Sequence, residues 1–263
     1  MFELVDSSLI GGFVAIVVFG GILAFLELGR RLGKRAVAAH GPSALPSTES
    51  LETAVFALLG LMIAFTFSGA LTRLDVRRNQ VVAEANAIGT GYVRIDLLPA
   101  TTQPRLRQAF REYTDARIAT YRKLPDLKAA RAELAHGQQL QADIWAQAVA
   151  AVRLPDARPG ADLLLMPALN EMFDLASVRI AATQMHPPTI VYLMLVVLAL
   201  ASALLAGFQS AAEAAHRWVH HIGYGAIVAF TVYVILDMEY PRTGWIRIDA
   251  IDQVLVGARK GMN

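Results

Sequence analysis

No cysteine occurs in the chain, which excludes disulfides, thiolate nucleophiles and cysteine-ligated metals. Charge is also scarce: Asp, Glu, Lys and Arg together make up 17% of the residues, against roughly a quarter in a soluble domain. The basic residues form no continuous block, and the formal net charge is only +2, so a nucleic-acid partner is not expected. Alternating strand patterns of useful length are missing, as are internal repeats and low-complexity tracts. No Ser/His/Asp set, carboxylate pair or phosphate loop is placed to argue catalysis, so the expectation is a protein that is not an enzyme and has no cofactor.

What is abundant is apolar surface, at 55% of residues. It is gathered into four runs nearly free of charge: Leu9 to Leu28, Leu51 to Leu71, Thr189 to Phe208 and Ile222 to Leu236. Each is long enough, or nearly so, to cross a hydrocarbon layer as a helix. The leader before the first run carries Glu3 and Asp6, its basic cluster follows the run, and no small-x-small cleavage site is evident. The first run is therefore read as a retained span and not a secretion signal. These features predict an all-α, multi-pass membrane protein with four transmembrane helices and a helical extramembrane portion between spans two and three. The divisions expected are 1–72 and 187–240 for the two helix pairs, 73–186 for the extramembrane region, and 241–263 for an amphipathic tail.

Span one is followed by Arg30, Arg31, Lys34 and Arg35, then by a link, His40 to Ser50, rich in Gly, Pro and Ser, with Ser50 placed to cap span two. After Leu71 the helical pattern turns polar through Arg73, Asp75, Arg77, Arg78 and Asn79, with no Pro or Gly before Gly89, so span two should project beyond the bilayer as one long helix. In the middle portion apolar residues recur at helical spacing: Leu106, Phe110, Tyr113; then Leu134, Ile144, Trp145, Ala148, Val152; then Leu165, Leu169, Met172, Phe173, Ala176, Ile180. Pro99, Pro104, Pro125 and the stretch from Pro155 to Gly160 mark bends, and Pro187-Pro188 suits the first turn of span three.

Several groupings have two readings. On span two, Gly60, Ala64, Ser68, Thr72, Asp75 and Asn79 follow one another by fours and a three and share one face, small and increasingly polar. Such a face lets two membrane helices approach closely, and it also suits a water-filled path with Phe65 or Phe67 as a constriction. The charges Arg73, Arg77, Arg78, Asp237, Glu239 and Arg242 bracket the spans. Ionised groups at a membrane boundary are costly unless paired, so Asp237 and Glu239 are expected to meet the arginines that leave span two. A selectivity ring formed by Asp75 or the arginines is the other reading. In Gly89-Thr90-Gly91-Tyr92 the glycines suggest a helix break or a close helix contact, and its likeness to a potassium-filter fragment is attributed to chance. Glu213, His216 and His220 share a helix face that can hold zinc, though with Arg217 and Trp218 beside them the set reads as an interfacial anchor, and no metal is expected.

The run Ala57-Leu58-Leu59-Gly60-Leu61-Met62-Ile63-Ala64-Phe65-Thr66-Phe67-Ser68-Gly69-Ala70, with Asp75-Val76-Arg77-Arg78 and Glu84-Ala85-Asn86-Ala87-Ile88-Gly89-Thr90, resembles the bacterial membrane proteins called bestrophin-like. So do Leu165 to Met172 and Asp237-Met238-Glu239-Tyr240-Pro241-Arg242. A more distant resemblance to the bestrophin anion channels rests on a glycine-rich second span followed by an arginine-bearing helix, and on two spans before and two after a helical middle. In those channels the second helix lines a pentameric pore. The resemblance thus implies a homo-oligomer, a pentamer by analogy, that passes small ions across a bacterial inner membrane. The residues near the path would be Gly60, Ala64, Phe67, Ser68, Thr72 and Asp75. The chain is shorter than typical bestrophins and shows no counterpart of their acidic calcium clasp, so calcium gating does not carry over.

The competing expectation is a membrane-anchored sensor or scaffold whose extramembrane helices bind a partner or ligand. Orientation is divided. The cluster Arg30 to Arg35 favours an outside N-terminus and a periplasmic middle portion, whereas the other arginines and the bestrophin comparison favour the reverse.

Overall fold

The computed structural model describes residues 7–41, 49–124, 126–212, 218–242 and 244–262. Among them every regular element is helical. In order these are α1 (Ser7–His40), α2 (Glu49–Arg94), α3 (Gln103–Arg122), α4 (Leu127–Val152), α5 (Ala161–Ala182), α6 (Thr189–Gln209), α7 (Trp218–Glu239) and α8 (Gln253–Lys260), with short 3-10 turns at Ile95–Leu97 and Ser210–Ala212. Four of them, α1, α2, α6 and α7, are long and apolar enough to cross a membrane. The protein is an all-α, multi-pass membrane protein.

The chain divides into two compact units. One comprises residues 5–73 and 186–240, which is α1, the first half of α2, α6 and α7. Its outward side chains are large and apolar, among them Phe13, Ile16, Ile190, Val197, Ile227 and Phe230. That surface is stable only against hydrocarbon, where the helices satisfy their own backbone groups. Inside, α1 lies on α6 through glycines. A Cβ at Gly29 would collide with the Leu204 carbonyl, and one at Gly207 with the Leu26 carbonyl. Helices in lipid gain little from burying apolar side chains, so backbone approach at small residues provides the contact. Gly225 of α7 similarly seats against Phe19 and Ile22, 3.3 and 3.4 Å from where its Cβ would stand. Ser202 of α6 and Tyr224 of α7 share a hydrogen bond of 2.6 Å, and the Tyr224 ring meets Phe56 of α2 edge-on.

The other unit comprises residues 74–185 and 241–262 of the described chain: the second half of α2, α3 to α5, and α8. Here a water-type core forms from Ile88, Ile95, Phe110, Ile144, Leu165 and Met172, all fully buried. Tyr92 packs edge-on against Phe110, and Tyr113 against Phe173. Asp126 caps α4 by accepting from the Ala129 amide at 3.0 Å, and Gly160 leads into α5 at φ 78°, a conformation that favours glycine.

Helix α1 continues through the basic cluster to His40, where the link was expected to begin, with Glu27 accepting from Arg30 at 2.9 Å and Arg31 at 2.7 Å. Two further sequence expectations are decided by the local structure. Ser50 lies inside α2, which begins at Glu49, and so is not a cap. The helix does not break at Gly89 or Gly91 but runs on to Arg94. Gly91 is instead a close contact, with the Phe110 ring 3.1 Å from where its Cβ would be. The bend expected at Pro125 lies outside the described residues.

Candidate functional site

Helix α2 is the element to which the sequence assigned the path, and its surface can be read position by position. Gly60, Ala64, Phe67, Ser68, Thr72 and Asp75 are all exposed within the single chain. Exposure then continues along the same side at Asn79, Val82, Asn86, Thr90 and Val93, at steps of three and four. Among the described residues no helix covers this stripe. The opposite side carries Ala70, Leu74, Val81, Ile88 and Ile95, which are buried. The Thr72 hydroxyl donates to the Ser68 carbonyl at 2.9 Å, and Asp75 accepts from Arg78 at 3.4 Å. The stripe therefore offers hydroxyl oxygens and a partly matched carboxylate beside Gly60 and Ala64, flanked by the exposed apolar side chains of Leu61, Phe65, Phe67 and Leu71.

Next to it, in the membrane unit, lies a compact polar cluster. Glu239, at the end of α7 and with its side chain fully buried, accepts from Arg73 Nε at 2.8 Å and again from the same guanidinium's Nη2. His186 Nδ1 faces its other oxygen at 3.4 Å, and the His186 ring stacks on Tyr240 with centroids 4.8 Å apart. A carboxylate this buried is tolerable because a guanidinium, giving two hydrogen bonds to one of its oxygens, neutralises it. Asp237 accepts from Tyr233 at 3.3 Å.

The remaining charges of the predicted boundary set have partners of other kinds. Arg77 donates to the carbonyls of Ala182 at 3.2 Å and Met185 at 3.0 Å, which holds the second half of α2 to the end of α5. Arg242 turns to Asp249, at 3.1 Å, and to Asp252, which takes both of its terminal nitrogens. His216, with Glu213 and Arg217, lies outside the described residues.

A second charged cluster, in the extramembrane unit, has no counterpart in the sequence reading. Glu84 of α2, fully buried, accepts from Arg117 of α3 and from Arg179 of α5, the latter at 2.6 Å; both arginine side chains are 3% exposed. Arg179 also donates to Asp252 at 2.9 Å. The guanidinium groups of Arg179, Arg242 and Arg117 lie 3.7, 4.9 and 5.6 Å from the centre of the Tyr121 ring. Three cations thus meet the three carboxylates of Glu84, Asp249 and Asp252 around one aromatic face. Burial disfavours charge on Arg117, but the facing Glu84 carboxylate outweighs it and holds that guanidinium more firmly protonated than usual. Burial acts likewise on Arg242, and its bonds to Asp252 overcome it. The arrangement is saturated and leaves no open position for a substrate, so its role is to tie α2, α3, α5 and the C-terminal segment together. A faint signal was present, because Glu84 lies on the apolar side of α2 with Val81 and Ile88.

No curated protein and no solved structure shows significant similarity to this chain. A family model does match: that of the Bestrophin-like domain, over residues 32–251. The match includes α2 with its exposed stripe, the Arg73–Glu239 pair and the Glu84 network except for Asp252, and by it the chain belongs to the Bestrophin-like family.

Proposed function

We propose that the protein is a homo-oligomeric ion channel of the bacterial inner membrane in which α2 lines the conduction path. The observation that carries this reading is the uninterrupted exposed stripe of α2. Gly60, Ala64, Ser68, Thr72 and Asp75 lie on it with Phe67 beside them, and none is covered within the subunit. A helix that met only lipid on this side would have little use for Ser68 and Thr72 within the span, because polar groups in hydrocarbon are costly, and Asp75 follows one turn beyond them where the span ends. Around a symmetric axis the same residues supply room, hydrogen bonding and a ring of charge. The family membership agrees, and by analogy the ring is a pentamer. Phe67 is the constriction, and Asp75, repeated in every subunit, sets the charge at the mouth.

The test is ion flux into liposomes containing purified protein, for the parent, Ser68→Trp and Asp75→Arg. Ser68→Trp is expected to block flux and Asp75→Arg to alter the preference between potassium and chloride. Unchanged flux in both folded variants removes α2 from the pathway. Absence of flux in the parent under every ion and pH condition leaves the other reading, a membrane-anchored sensor or scaffold.

A further inference from the structure

Within the extramembrane unit an open groove of about 660 Å³ runs between the last turns of α2 and the short helix α8. That volume lies in the range of small-molecule sites, roughly 300–1,000 Å³. Three polar side chains of α2, Asn86, Thr90 and Arg94, line it one turn apart on a single face. Ala85 and Gly89 form a low floor between them, and Val93, Val254 and Ala258 give an apolar wall.

The polar groups of this groove are unused by the fold. Thr66, Thr72, Thr114 and Thr120 each donate their hydroxyl to a carbonyl one turn back. Among the described residues no such bond is made by Thr90, nor does the Asn86 amide bond to a protein group. Arg94 donates only to the Leu164 carbonyl, at 2.6 Å, a neutral acceptor that leaves its charge unmatched. The carboxylate two residues on, Asp96, is taken by Arg107. A cation with free donors, a hydroxyl and an amide in register, and a hydrophobic wall together describe a receptor for a molecule with one oxyanion and a short apolar part.

We propose that this groove binds a small soluble organic anion, its oxyanion on Arg94 and Thr90 and its apolar part against Val93, Val254 and Ala258. A lipid headgroup is the wrong source. Asn86 lies fifteen residues beyond Leu71, the end of the apolar run, which is about 22 Å of helix and more than the headgroup layer spans. Asn86, Thr90 and Val93 also lie on the exposed side of α2 proposed to line the path, so the groove opens on that same side, while the experiment below reads occupancy of the groove and not conduction.

Gly89 makes the proposal directly testable, since a Cβ there meets nothing within 4 Å and a larger side chain fills the groove without disturbing the core. The experiment is amide hydrogen exchange on the full chain in lipid nanodiscs, with butyrate as probe and chloride and n-butanol as the charge-only and tail-only arms. Butyrate at ten times its Kd is expected to slow exchange about ten-fold in α8 and the last turn of α2. Chloride and n-butanol at the same concentration should do much less. Gly89→Leu and Arg94→Gln should abolish the effect while their unliganded exchange elsewhere matches the parent, which shows them folded. No protection of the parent by butyrate overturns the proposal. So does protection that persists in Gly89→Leu, or that n-butanol reproduces in full.

Discussion

The two units of this chain are held together by opposite means. In the membrane unit, contact between α1 and α6 depends on what is missing, the side chains of Gly29 and Gly207, so that backbone meets backbone. In the extramembrane unit it depends on what is present: a large aromatic and aliphatic core, and a buried set of charges centred on Glu84. The difference follows from the solvent. Hydrocarbon gives apolar side chains no reason to leave it, so close packing must do what the hydrophobic effect does in water. A region exposed to water can bury charge if every charge is matched. One chain thus carries two packing rules, and substitutions separate them.

The largest effect is expected at Glu84. Glu84→Leu leaves Arg117 and Arg179 buried with their central carboxylate gone, and loss of one partner of such a set costs about 3–5 kcal/mol. Thermal unfolding in detergent should register this, and hydrogen exchange should locate the loosening in α3, α5 and the C-terminal segment. A change below about 1 kcal/mol would mean that the network adds no more than an exposed pair does.

The matching break in the membrane unit is Gly207→Val. Its added carbons have the Leu26 backbone in their way, which a rotamer change cannot relieve, so about 1–3 kcal/mol of overpacking is expected. Here exchange should rise in α1 and α6 while the Glu84 cluster stays protected. Loosening of α3 and α5 by the same substitution would contradict the division into two packing regimes.

The smallest effect belongs to Tyr113, whose hydroxyl accepts from the Gln141 amide at 3.1 Å and whose phenol pKa burial pushes up to about 12. The folded protein keeps this proton where the unfolded chain, near 10, loses it. The stabilisation is therefore present below about pH 10 and disappears as pH rises toward 12. In a phenolate absorbance titration Tyr113→Phe should remove a late step and leave the ordinary tyrosines unchanged. A titration identical to the parent's would show that Tyr113 ionises with the rest.

Much of this was legible in the sequence because it follows from period and composition. The four spans, the all-helical class and the passage of α2 beyond Leu71 came from runs of apolar residues without breakers. For Gly89 and Gly91 the sequence left a helix break and a close helix contact open, and at Gly91 it is the contact, against Phe110, that the structure has; a glycine inside a helix costs only about 1 kcal/mol, so it need not end one. Beyond the faint signal at Glu84, that network could not be assembled from the sequence, because its members, at 84, 117, 179, 242, 249 and 252, come from α2, α3, α5 and the C-terminal segment, and spacing reports only neighbours on one helix. The groove beside Arg94 escaped notice likewise, since Val254 and Ala258 reach it from the far end of the chain.

The exposed side of α2 has a practical consequence when set beside the absence of native thiols. A cysteine introduced singly at each position from 57 to 75 would be the one reactive sulfur in the molecule, with no background to subtract. Because the thiolate and not the thiol reacts, labelling by a water-soluble maleimide requires hydration at that site. A helical rhythm of modification peaking at 60, 64, 68 and 72 would draw the outline of a wet surface through the bilayer, whereas silence along the whole apolar stretch would outline a dry one.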